Sequence, residues 1–87
     1  MAAIDTDGAD GVLSGRERID ALDARITELV QRRIDVSKQI QAARLADGGR
    51  RVDLRRESEI IARYSDALGR PGTAIAMALL ELGRGRA

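Results

Sequence analysis

With 87 residues, 15 basic against 14 acidic side chains for a net charge of +1, no histidine, no cysteine and a single aromatic, Tyr64, the chain excludes more chemistry than it admits. Disulfides and thiolate metal sites are ruled out, as are nucleophile arrangements built on histidine and the neutral-pH imidazole base. A chain this short makes one domain, of a size that struggles to bury a sufficient core without help from a partner.

The first 13 residues, "MAAIDTDGADGVL", have little apolar content and no period, and read as a disordered tail ahead of a helical domain spanning 14–87. They lack a basic stretch followed by an apolar run, and nothing in the chain approaches membrane-spanning length, so the expectation is a cytoplasmic protein without membrane contact. In "SGRE", Ser14 and Glu17 have the reciprocal spacing of a capping box, which predicts a helix start. From there Ile19, Leu22, Ile26, Leu29, Val30, Val36 and Ile40 recur at three- and four-residue intervals along one stripe, up to the Asp47-Gly48-Gly49 stop.

A helix over about 15–46 would be roughly 48 Å long, whereas a globule of this chain length is only about 30 Å across. Two shorter helices follow: "DLRRESEIIARYSDAL" from an Asp53 N-cap, and "TAIAMALLEL" after a Pro71-Gly72 turn, ending at Gly83. They cannot cover the long stripe. The predicted architecture is therefore all-α, with three helices per chain, one long and two shorter, in an intertwined homodimer whose long helices pack together.

Fourteen of the fifteen basic residues are arginines, Lys38 being the exception. A GC-rich coding sequence explains that bias as readily as a need for rigid guanidinium forks that grip carboxylates or phosphates. Position is more telling than number. At about 100° per residue Arg33 falls near the centre of the apolar arc, and Arg44 lies on the same face about 16 Å further along. Inward-facing cations require acceptors opposite them, either an internal salt bridge to Asp53 or Glu57 or an anionic ligand. On the second helix, Asp53, Arg56, Glu57, Ile60 and Tyr64 share an arc that also carries apolar residues, which suits a polar pocket between helices; acids in a first turn also complement the helix dipole without further role. Arg16 is about 25 Å from Arg33 along the same rod, out of reach of one small ligand unless a second, antiparallel chain brings it alongside.

The runs "RIDALDARITELVQRRIDVSKQIQAAR", "GGRRVDLRRESEIIARY" and "LLELGRGRA" resemble the all-helical chorismate mutases, in particular the short actinobacterial-type branch, over about residues 14–86. The resemblance implies an intertwined dimer that isomerises chorismate to prephenate, on the route to phenylalanine and tyrosine, without cofactor or metal. It implies that Arg44 and Glu57 are catalytic: Arg44, often lysine in relatives, on a carboxylate and the ether oxygen, and Glu57 on the ring hydroxyl with the region of Asp53. Arg33 and Arg16 of a second copy would grip the carboxylates, and Arg56 would support the pocket. Many relatives carry Gln or Glu on the last helix, where this chain breaks at Gly83 and offers Arg84 and Arg86. In the short branch that segment is associated with docking onto DAHP synthase.

Such a rearrangement is pericyclic and needs no nucleophile, base or metal, which suits a chain without histidine or cysteine. Isochorismate pyruvate lyases and aminodeoxychorismate mutases bind similar dianions on the same fold, and arginine placement does not separate them. A non-catalytic coiled-coil module would use the stripe alone. Near-neutral charge and one aromatic argue against nucleic acid, despite "RRVDLRR".

Overall fold

A computed structural model of the protein describes residues 8–49 and 53–84, with side chains from Ser14 onward. Three helices make up the fold: α1 (Gly8–Ala46), α2 (Leu54–Leu68) and α3 (Arg70–Gly83), with no strand among the described residues. The molecule measures 60 × 24 × 24 Å, its length set by α1.

α1 begins at Gly8, six residues ahead of the expected start, so 8–13 are helical rather than part of a tail, and 1–7 lie outside the described residues. Ser14 sits inside the helix, and the expected capping box is not its start. A nucleated helix gains one hydrogen bond for each added residue, so a rod continues through polar sequence that has no face to bury. Its other end is as expected. Gly49 N–H donates to Arg44 C=O at 2.6 Å and Gly48 N–H to Leu45 C=O at 3.0 Å, with Gly48 at φ 83°, which together form a Schellman stop.

α2 starts where Asp53, in extended conformation, accepts the Arg56 backbone N–H at 3.1 Å. It stops at Gly69, whose φ of 79° and ψ of −161° suit glycine alone and whose N–H donates to Ser65 C=O at 2.8 Å. The α2–α3 corner is therefore at Gly69 rather than at Pro71-Gly72. Pro71 fits the first turn of α3, where its missing N–H is no loss. Gly72 instead lies directly against the α2 backbone: a Cβ there would overlap the Tyr64 carbonyl, so the two helices cross backbone to backbone at this point.

α3 is the bracket of the molecule. It packs along α2 and touches α1, while α1 and α2 do not approach each other backbone to backbone. The enclosed apolar core is small: Ile60 from α2, and Ala76 and Leu79 from α3. Ile19, Leu22, Ile26, Leu29, Val36 and Ile40 are all 48–55% exposed within one chain, so its own α2 and α3 leave the stripe largely uncovered. No helix among the described residues is long and apolar enough to cross a membrane.

Candidate active site

Since the backbones of α1 and α2 stay apart while both pack on α3, a cleft of about 270 Å³ opens between them near the C-terminal end of α3. α1 contributes Arg33, Ser37, Gln41 and Arg44, which follow each other at helical spacing on one face and are all half-buried. α2 contributes Asp53, Arg56, Glu57 and Ile60 from its first two turns, and α3 adds Leu80, Gly83 and Arg84. Helix starts and ends thus bring charged residues together that are up to 51 positions apart in sequence (Arg33 to Arg84).

Two ion pairs bridge the cleft. Arg84 Nη2 donates to Glu57 Oε1 at 2.6 Å, a short charge-assisted bond between α3 and α2. Arg44 Nη2 stands 3.8 Å from Asp53 Oδ2, a looser contact between α1 and the cap of α2. Glu57 is the better buried carboxylate, its side chain 18% exposed against 48% for Asp53. Arg56 turns to Glu59, with Nη1 3.5 Å from Oε1. Arg33 has no carboxylate within 4.0 Å among the described residues. The Arg84 Nε is buried with no hydrogen-bond partner, a donor without an acceptor.

The internal salt bridge open to Arg44 is therefore present, though long, and it leaves most of the guanidinium's donors unused. Arg33 and Arg44 are half-buried against an open cleft instead of being enclosed in an apolar interior. Four guanidinium groups, Arg33, Arg44, Arg56 and Arg84, line the cleft against two carboxylates, Asp53 and Glu57. Arg56 is drawn to Glu59, which leaves Arg33 without a carboxylate among the described residues and Arg44 only loosely paired, a pair of cations suited to a small dianion. Among the described residues no group of three or more His, Cys, Asp or Glu side chains is arranged to hold a metal ion.

Six of the seven residues singled out from the sequence, Arg33, Arg44, Asp53, Arg56, Glu57 and Arg84, line this cleft. Arg16 does not; it is exposed on the far half of α1. Tyr64, on the same predicted arc of α2, lies a turn beyond the lining. Sequence reasoning misses Ser37 and Gln41, although their steps of four from Arg33 toward Arg44 are a usable signal. Gly83 is not simply a helix breaker. It is the last residue of α3, buried against α1, with Arg84 following in ordinary right-handed conformation.

Comparison with known proteins identifies related chains. Residues 15–77 match the family chorismate mutase type II. The intracellular chorismate mutase of Mycolicibacterium smegmatis is 55% identical over 71 residues, covering 82% of this chain and 68% of the relative. The intracellular chorismate mutase of Mycobacterium tuberculosis is also 55% identical over 71 residues, covering 82% of this chain and 67% of its own. Among solved structures, a non-covalent complex of DAHP synthase and chorismate mutase from Corynebacterium glutamicum with a bound transition-state analogue contains a similar chain, at a TM-score of 0.83 and 37% identity over 87% of this chain and 92% of that one.

Proposed function

We infer the function from one premise: the chain belongs to the chorismate mutase type II family. It is an isomerase that rearranges chorismate to prephenate. The reaction breaks the ether C–O bond and forms a C–C bond in one pericyclic step, with no proton, electron or group transferred to the protein. The task left to the protein is to confine a flexible dianion in its compact conformer and to stabilise the negative charge that grows on the ether oxygen.

The observation that carries the site assignment is the placement of Arg33, with no carboxylate partner among the described residues, and Arg44, only loosely paired, in one cleft of about 270 Å³ walled by two helices. Arg33 receives one substrate carboxylate. Arg44, only loosely paired with Asp53 across 3.8 Å, keeps donors for the second carboxylate and the ether oxygen. Glu57, held by Arg84 through Oε1, has Oε2 left to accept the ring hydroxyl, beside Asp53. Arg56 adds positive potential at the rim. All of these act by position on helices, so little reorganisation accompanies the reaction.

We further propose that two chains pair through the exposed stripe of α1, in antiparallel sense, so that Arg16 of a second copy closes each site. The stripe from Ile19 to Ile40 supports this, since the chain's own helices leave about half of each side chain uncovered. The similarity to a chain from a complex with DAHP synthase supports docking of the C-terminal segment onto such a partner. Residues 85–87 lie outside the described residues, and Arg84, just before them, is already bonded to Glu57, so a partner acting on this segment would act on the site directly.

Incubation with chorismate while following its ultraviolet absorbance tests the function, with isochorismate and aminodeoxychorismate in parallel. Loss of the chorismate signal with formation of prephenate is expected, increasing when DAHP synthase is added. Turnover of one of the other substrates in place of chorismate would reassign the enzyme within the fold, and turnover of none would point to a non-catalytic helical module.

A further inference from the structure

We infer that Gly83 is a positioning residue for the rearrangement: lacking a side chain, it lets the end of α3 seat directly on Ser37 of α1, and this seat sets the width of the cleft. The inference rests on the function proposed above. α1 and α2 carry the opposing walls of the cleft yet never touch backbone to backbone, so their spacing is transmitted through α3. Gly83 is a buried point of that transmission. A Cβ built on it would lie 3.0 Å from Ser37 Oγ, 3.2 Å from Ser37 Cβ and 3.9 Å from Arg33 Nη1. The hydroxyl can rotate away, but Ser37 Cβ is fixed to the α1 backbone, and carbon atoms prefer separations of about 3.5–4.0 Å. An added methyl group therefore pushes the end of α3 outward by roughly half an ångström or less.

The next residue shows what that displacement would move. Arg84 is one peptide unit further on and carries the 2.6 Å bond to Glu57 Oε1, while Arg33, whose Nη1 lies against the same spot, stands on the other wall. Half an ångström at Gly83 is thus delivered to both sides of the site at once. Catalysis that depends on orientation loses about a hundredfold for a misplacement of about 1 Å; the smaller shift here corresponds to roughly tenfold.

Gly83→Ala should therefore lower kcat for chorismate about tenfold, while helical circular dichroism is unchanged and the melting temperature falls only slightly, the strain of the close contact being modest. Ser37→Gly removes both atoms that the new methyl would meet. In that background Gly83→Ala should change kcat less than twofold, whereas in Ser37→Ala, which keeps the Cβ, the tenfold loss should persist. A Gly83→Ala enzyme with kcat within twofold of wild type would overturn the inference, and so would a Gly83→Ala loss of equal size with and without the Ser37→Gly substitution. Loss of the helical signal in Gly83→Ala would mean that the contact holds the fold rather than the site, which overturns it as well. Absence of turnover in the wild type, read in the same assay, would overturn the function and this inference together.

Discussion

Replacing Ile26 by aspartate places a charge in the middle of the uncovered stripe. Ile26 is 54% exposed in the single chain. Full burial of such a side chain is worth about 1.5–3 kcal/mol, so covering the exposed half contributes roughly 1 kcal/mol. Enclosing a carboxylate there adds an effective penalty of several kcal/mol. Two-fold symmetry applies each change twice, and a total of at least about 5 kcal/mol corresponds to a loss of some 10³ to 10⁴ in dimer affinity. Sedimentation equilibrium should find the wild type at twice its 9.4 kDa chain mass and Ile26→Asp shifted to the single chain. Turnover of chorismate should fall with the dimer if, as proposed, Arg16 of a second copy closes each site. Glu28→Gln, exposed on the opposite side of α1, serves as the control and should change neither. A wild type that sediments as a well-folded single chain, or an Ile26→Asp variant that remains dimeric and active, would refute the pairing of long helices.

Gly72→Ala should destabilise rather than inactivate, since its Cβ would overlap the Tyr64 carbonyl and force α2 and α3 apart; overpacking of this kind costs about 1–3 kcal/mol, read as a drop in melting temperature, and an unchanged value would contradict the close crossing. Asp53→Ala should lower stability by about 1 kcal/mol through loss of the α2 cap, whereas Asp53→Asn, which keeps a capping oxygen and loses only the long ion pair to Arg44, should recover most of it in thermal unfolding. Equal losses in the two variants would instead assign the stability to the ion pair.

The parts of the fold that are legible in the sequence are those set by local chemistry. Asp47-Gly48-Gly49 and the Asp53 cap act through the conformational preferences of single residues, and each appears in the structure where its residues stand. The convergence of Arg33, Arg44, Arg56 and Glu57 is legible because helical periodicity converts spacing into direction, and charges on an otherwise apolar arc need acceptors. What periodicity cannot carry is the contact between helices. Ser14 looks like a helix start locally, yet the rod runs through it to Gly8, because extension requires only another backbone hydrogen bond. Gly72 and Gly83 look like punctuation but are points of close approach, and only the neighbouring element distinguishes the two. Ser37 and Gln41 escape notice because small or neutral side chains stand out only after the cleft around them is known.

The most direct measurement is chorismate turnover by Arg44→Ala, compared with wild type under conditions where both have the same helical content and the same sedimentation. A fixed guanidinium facing the developing charge on the ether oxygen should make the variant slower by about 10² to 10³ in kcat, with its fold intact because the ion pair it loses is 3.8 Å long and half-exposed. A folded Arg44→Ala enzyme that turns over chorismate at near the wild-type rate would contradict catalysis by arginines held in place across the α1–α2 cleft.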